Sequence, residues 1–280
     1  MKGLPTAGFQ GELGAFSQQA ARQFLGEKVR VVPFQRFDQV FEAVASGQTD
    51  FAVIPMENTL HGSVHENYDH LLNNDLKIRA ETNVRIVHNL IAAPGVKFKD
   101  VRRVFSHPVA LAQCLDFFTR NPAMEKTPFY DTAGSVRMLM NENLSDAAAI
   151  ASSVAADIYG ARILKRSIED DRRNFTRFFL LHRASSKIRA YTDGKSWKTS
   201  LVFTTRNTPG TLFRCIGAFA LRDVSLIKIE SRPLRGRPWE YLFYLDLNGR
   251  EDNPQVQNAL GHLRELTDFM RVLGSYPQAR

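Results

Sequence analysis

Through the first 180 or so positions, short apolar runs alternate with stretches of helical spacing. LPTAGFQ leads into SQQAARQFLG, where Ser17 is placed to cap and Gly26 to stop a helix carrying Ala20, Ala21, Phe24 and Leu25 on one side. VRVVPF precedes FDQVFEAVASG, in which Phe37, Val40, Phe41 and Val44 follow the i, i+3, i+4, i+7 rule before Gly47 ends the pattern. DFAVIP, RVFSHP and AAIAS are further short runs, each closing in a polar turn that opens a helix pattern. Strand–helix alternation of this kind predicts an α/β layer fold, in which ligands sit where strands give way to helix N-termini.

Residues 183–198 (RASSKIRAYTDGKSWK) are polar and bear serine and glycine, which marks a linker between a first domain at 3–182 and a second at 199–277. In the second, TSLVFTTR reads as a strand and TPGTLFRCIGAFALR as a helix with Leu212, Ile216, Phe219 and Ala220 on one face. SLIKIESRP and EYLFYLDLNG are strands, the latter alternating Tyr241, Phe243, Leu245 and Leu247. NPQVQNALGHLREL is a helix with Val256, Leu260 and Leu263, and MRVLGSY a last strand, so the order is the βαββαβ of ferredoxin-like units.

With 44% hydrophobic and 24% charged residues in 280, the composition is that of an ordinary globular chain with room for two cores. A formal net charge of +8 favours acidic partners, either nucleic acid or a small dianionic metabolite. No Lys/Arg-rich 5–8-mer and no zinc-ligand spacing is present, so no nucleic-acid partner is expected. Cys114 and Cys215 lie far apart inside apolar helical patterns and read as free core thiols. The N-terminus lacks a signal-peptide core and no run reaches membrane-spanning length; no membrane partner and a cytoplasmic location are expected.

Four polar strand ends are the places to look for chemistry. GELGAFS, ending in Ser17, is a glycine-spaced turn into a helix whose N–H groups are suited to an anion; it lacks the Gly-Lys-Ser/Thr ending of a P-loop, and a tight turn with a good cap explains it equally well. IPMENTLHGSVHENYD places Glu57, Asn58 and Thr59 directly after a buried strand. SHPVALAQC puts Ser106 before Pro108, which suits the first helical position, with Ser106 a cap, an anion ligand or both; Gln113 lies deeper on that helix, where an exposed position is expected. DTAGS repeats the strand-end pattern with Thr132.

In RRNFTRFF, strand alternation puts Asn174, Thr176 and Phe178 on one side and Phe175, Arg177 and Phe179 on the other, an amide, a hydroxyl and a ring in line. The histidines make no metal constellation: HGSVH has the i, i+4 spacing without the inner glutamate of a zinc protease. There is no G-x-S-x-G and no dinucleotide fingerprint, so no metal and no cofactor is expected. A site of Ser, Thr, Asn and Gln holds an anion by hydrogen bonds and offers no strong acid or base.

FQGELGAFSQQAA, AVIPMENTLHGSVHENYDHLL, SHPVALAQC, DTAGS, AAIASSVAADIYG and NFTRF occur in the order found in prephenate dehydratases, and GTLFR with IKIESRP resembles the ACT regulatory domain that follows them. The resemblance covers residues 3–277 and extends to arogenate dehydratases. It implies two α/β subdomains like a periplasmic binding protein, with substrate between them, plus the ferredoxin-like ACT domain. The implied activity converts prephenate to phenylpyruvate with loss of water and carbon dioxide, with L-phenylalanine as feedback effector and a homodimer or homotetramer as the active form. Arogenate as substrate, or a non-catalytic metabolite-sensing protein, are the alternatives.

By the same resemblance Thr176 assists departure of the ring hydroxyl, with Asn58, Ser106 and Gln113 also catalytic. Glu57, Thr132, Ser17, Asn174 and Phe178 would line the cleft, and Arg177 would brace the motif through a carboxylate. The effector pocket would form from the Gly210–Phe213 turn (with Thr211 and Leu212) and from Glu230, Ser231, Arg232 and Pro233. The chain departs from the family at several points. Thr59-Leu60-His61-Gly62 stands where Ser-x-Gly-Gly is common, Val109 where glutamine is usual, Phe16 for a common tyrosine and Ile227 for a common threonine.

Overall fold

The computed structural model describes residues 4–186, 196–233 and 240–279. These form two compact units, Met1–Asp75 with Thr82–Arg183, and Leu76–Glu81 with Ala184–Arg280. The first unit begins β1 (Thr6–Gln10), α1 (Phe16–Leu25), β2 (Arg30–Phe34), α2 (Phe37–Ser46), β3 (Phe51–Asn58), β4 (Gly62–Ser63) and α3 (His65–Asn73). Next come β5 (Leu76–Arg85), whose first six residues count with the second unit, and β6 (Asn89–Ala92). The chain continues with β7 (Arg103–Ser106), α4 (Pro108–Ala112), α5 (Leu115–Thr119), β8 (Glu125–Pro128) and α6 (Thr132–Glu142). Then follow β9 (Ala147–Ala151), α7 (Ser153–Tyr159), β10 (Arg162–Lys165) and β11 (Phe175–Arg183).

Two sheets result, one per subdomain. The first has the order β2-β1-β3-β11-β5 with β4 beside β3, and the second β10-β6-β9-β7-β8. The chain crosses between them twice, from β5 to β6 and from β10 to β11, so residues near both crossings come from both subdomains. β1 runs parallel to β2 and β3, and β7 parallel to β8 and β9, as strand–helix–strand units require. The expected α1 and α2 are present: Gly26 follows α1 at φ 82, and Gly47 ends α2 in the left-handed region at φ 89. Val40, Phe41 and Val44 are buried on α2, and Ala20 and Ala21 on α1. β9 is AAAIA with every residue buried; its small side chains admit α6, which packs against it.

The second unit is β12 (Trp197–Thr205), α8 (Thr211–Ala220), β13 (Leu226–Pro233), β14 (Tyr241–Asn248), α9 (Pro254–Leu266) and β15 (Phe269–Pro277), in the expected βαββαβ order. Its antiparallel sheet has the order β13-β14-β12-β15. Phe203, Phe219, Leu245, Leu247, Val256, Leu260 and Leu263 share its core. α8 is rotated from the expected face: Cys215, Ala218 and Phe219 are buried while Leu212 and Ala220 are exposed. Both stripes satisfy helical spacing, and the small Cys and Ala side chains are the ones that let α8 approach the sheet. Of the expected linker 183–198, Arg183 ends β11 and Trp197 and Lys198 begin β12; residues 187–195 lie outside the described residues.

Candidate active site

β3 and β11 pair antiparallel with Thr176 opposite Asn58 and Arg177 opposite Glu57, the register shifting between Arg177 and Phe178. Because successive strand residues face opposite sides, Asn58 joins Thr176 on one face and Glu57 joins Arg177 on the other. Asn58 is the hub. Its Nδ2 donates to Asn174 Oδ1 at 2.7 Å, Thr176 Oγ1 at 3.1 Å and Phe175 O at 3.2 Å. Its Oδ1 accepts the N–H groups of Leu60 and His61, both at 3.0 Å. An inverted amide would set oxygen against oxygen, so this orientation is fixed by its surroundings. Thr59 Oγ1 closes the same corner, donating to Arg173 O at 2.8 Å and accepting from Phe175 N at 3.0 Å.

The Thr176 oxygen accepts from Asn58, which leaves its own proton unspent among the described residues, and the side chain is 9% exposed. Asn174 is fully buried, and its Nδ2 is a buried donor with no partner among the described residues. Phe178 is 2% exposed, packed within the sheet. Arg177 reaches Glu57 at 3.6 Å and lies over the Phe179 ring at 4.7 Å. Glu57, expected in the cleft beside Asn58, therefore takes the opposite face and serves the brace; adjacent residues on a strand cannot both face one side.

From the other subdomain comes a second amide. Gln113, expected to be exposed, is 7% exposed and ends α4, its Oε1 at 2.8 Å from His88 Nε2 and its Nε2 at 3.3 Å from His61 Nδ1. Burial holds His88 below the ordinary imidazole value, with the Gln113 bond and the Glu169 charge working against that. His88 N donates to Glu169 Oε2 at 3.0 Å, and Arg85 meets Glu169 Oε1 at 3.4 Å. Nothing in the spacing of positions 61, 88 and 113 announces this chain; only the double crossing brings them together.

Three expected roles are corrected. Ser106 neither caps α4 nor offers its proton to an anion: it is fully buried and donates to Ile150 O at 2.6 Å, tying β7 to β9. His107 is the cap, Nδ1 accepting from Val109 N at 3.2 Å, with Pro108 in the first turn as expected. Ser17 is the second residue of α1, not its cap, because the helix starts at Phe16; Gln18 reaches back instead to accept from Gly14 N at 2.6 Å. The glycines of GELGAFS serve close approach more than anion binding. Gly14 has φ 92, and a Cβ there would lie 2.6 Å from Ala155 Cα. The Gly11, Gly14 and Ala15 N–H groups are already spent within the protein.

Thr132 opens α6, whose cap is Asp131, accepting from Gly134 N at 2.6 Å; burial raises the Asp131 carboxyl above its ordinary value. Neither Ser17 nor Thr132 bonds to the Asn58 group. The sequence reading also missed a clasp between subdomains. Glu12 accepts from Tyr130 Oη and from Arg137, both at 2.9 Å, and burial plus the Glu12 carboxylate pushes Tyr130 up to about 12. Among the described residues no three His, Cys, Asp or Glu side chains gather to hold a metal ion.

In the second unit, Gly210 precedes α8 at φ 79, and Thr211 begins the helix where a turn was expected, its Oγ1 2.6 Å from Thr208 Oγ1. Phe213 is largely exposed. On β13, Glu230 pairs with Lys228 at 3.0 Å, and Ser231 and Pro233 are exposed while Glu230 and Arg232 are half-buried.

The amides and the hydroxyl thus lie at strand ends of a two-sheet α/β unit, which is followed by a ferredoxin-like βαββαβ unit. Residues 7–186 match the family model described as prephenate dehydratase, and residues 199–264 the model described as ACT domain. Arogenate dehydratase/prephenate dehydratase 2, chloroplastic, from Arabidopsis thaliana is 45% identical over 278 residues, 96% of this chain and 72% of the relative. The crystal structure of prephenate dehydratase in complex with L-Phe from Arthrobacter aurescens has a TM-score of 0.88 at 31% identity, covering 98% of this chain and 90% of that one. A structure titled GqqA, a novel type of quorum quenching acylases, has a TM-score of 0.88 at 32% identity over 97% of both chains. The chain belongs to the prephenate dehydratase family.

Proposed function

We propose that the protein converts prephenate to phenylpyruvate under feedback control by L-phenylalanine. The observation that carries the reading is the bond from Asn58 Nδ2 to Thr176 Oγ1. With its oxygen held as an acceptor, the hydroxyl has its proton directed away from Asn58. In the reaction the bond from the ring carbon to its carboxylate breaks, carbon dioxide leaves, and the electron pair moves through the ring to expel the hydroxyl. That oxygen takes up a proton and departs as water, so prephenate plus one proton gives phenylpyruvate, carbon dioxide and water.

The new aromatic ring supplies the driving force, and the protein's task is to hold two carboxylates and favour the leaving oxygen. A threonine hydroxyl is too weak an acid to give up its proton outright. Thr176 acts as a positioned hydrogen-bond donor whose interaction strengthens as charge develops. Asn174 Nδ2 is a second unspent donor beside it. Ser106 supports the site by bracing the sheet below it, and Arg177 with Glu57 fixes the strand that carries Thr176.

Arogenate differs from prephenate only by an amino group in place of the side-chain keto oxygen, and relatives named for arogenate make it the competing substrate. The ratio of kcat/KM for the two, measured on the same preparation, decides. A ratio above ten for prephenate supports the proposal; one above ten for arogenate replaces the substrate; turnover of neither removes the function. Phenylalanine control is supported by the ACT match and by the relative crystallised with L-Phe, and calls for titration of phenylalanine into the same assay.

A further inference from the structure

His61 joins the two halves of the site. Its backbone N–H donates to Asn58 Oδ1 at 3.0 Å, and its ring Nδ1 lies 3.3 Å from Gln113 Nε2. Beyond Gln113 stands His88, 2% exposed, with its Nδ1 buried and without a partner among the described residues. The protons along this row can be assigned. Gln113 Oε1 only accepts, so His88 Nε2 carries the hydrogen and His88 Nδ1 is bare. Gln113 Nε2 only donates, so His61 Nδ1 is bare and the ring proton sits on Nε2. Turning the Gln113 amide over would move the His88 proton to Nδ1. That would leave a buried N–H with no acceptor, a worse outcome than a bare ring nitrogen.

The row therefore fixes the tautomer of an exposed imidazole. Its Nε2–H has no partner among the described residues, its Nδ1 is held by the Gln113 amide, and its backbone N–H by the Asn58 amide. We infer that His61 is a substrate-positioning residue whose Nε2–H donates to a carboxylate of the substrate. This rests on the dicarboxylate reading above.

The test compares wild type with His61→Ala, His61→Asn and His61→Gln at a single fixed pH. Asparagine places an acceptor near the Nδ1 position and lacks the outer donor; glutamine carries an N–H near the Nε2 position. The expected result is a KM raised by about tenfold or more in Ala and Asn, the scale of a hydrogen bond to a charged group. Gln is expected within about threefold of wild type, and kcat is expected to change by less than about threefold in all three. A loop-holding role alone would instead move kcat and KM together and would not be rescued by Gln; that result, or an unchanged KM in Ala, overturns the inference.

A readout free of turnover uses the 15N-labelled full chain. The ring signals of His61 and His88 are expected in the Nε2–H tautomer, and saturating prephenate is expected to shift the His61 Nε2–H signal. A His61 proton on Nδ1, or no shift on saturation, overturns the inference whatever the rates. If wild type turns over neither substrate, the proposed function falls while the spectra still decide the role of His61.

Discussion

Replacing Thr176 by valine separates folding from function. The side chain keeps its shape and loses one hydroxyl, which accepts one bond from Asn58 Nδ2. That nitrogen has two hydrogens facing three acceptors, so Asn174 Oδ1 and Phe175 O still satisfy both after the change. No donor is orphaned, and the loss in stability is that of one net hydrogen bond, about 0.5–1.5 kcal/mol. A melting shift of no more than about 4 °C follows. On the proposed mechanism the transition state loses a donor to the leaving oxygen, an effect worth about 100- to 1000-fold in kcat at comparable sites. Thr176→Ser, which restores the hydroxyl, is expected to recover to within about tenfold of wild type. Calorimetry and initial rates of phenylpyruvate formation on the three proteins give both numbers. Near-wild-type kcat in the valine variant would refute the reasoning; so would an unfolded valine variant, since the bond count forbids it.

Further outcomes follow from the same geometry. His88 is held below its ordinary value by burial, so the unfolded chain takes up a proton that the folded chain resists. Its contribution is whole above about pH 6.5 and is lost as pH falls below it, by at most about 1.4 kcal/mol per pH unit. His107 acts in the same direction through burial, so the His88→Asn variant is compared with wild type in urea titrations from about pH 7.5 to 5. The variant is expected to show the flatter profile, and identical profiles would contradict the assignment. In the second unit, Lys198 Nζ meets Glu81 at 2.8 and 3.1 Å with both side chains almost wholly buried. Lys198→Met leaves the buried carboxylate without its cation and is expected to cost about 3–5 kcal/mol, with Glu81→Gln added to it recovering part; urea midpoints decide, and a loss below about 1 kcal/mol would contradict it. Ser231→Ala and Glu230→Gln are each expected to raise the phenylalanine concentration for half-inhibition; unchanged inhibition curves would place the effector elsewhere.

The helices and parallel strands were legible wherever one face repeats, as on α2, or where a glycine closes a helix, as at Gly26 and Gly47. The side of β11 that carries Asn174 and Thr176 was legible too, because alternation alone decides it. Partners were not. Ser17 and Ser106 looked like caps, but a hydroxyl's partner depends on where the helix starts and which strand lies alongside, and Ile150 is 44 residues from Ser106. The α8 face failed because two stripes fit the same spacing. His61, Gln113 and His88 became neighbours only through the double crossing between sheets, and Glu12 met Tyr130 and Arg137 across 118 and 125 residues. Alternation along a strand fixes which way a side chain faces; distant chain fixes what it meets and which helical stripe is covered.

The most direct test of the account is phenylpyruvate release from purified prephenate by the purified protein, with no metal or cofactor added. The account predicts steady turnover that falls on adding L-phenylalanine. A folded protein that binds prephenate and releases no phenylpyruvate would contradict it.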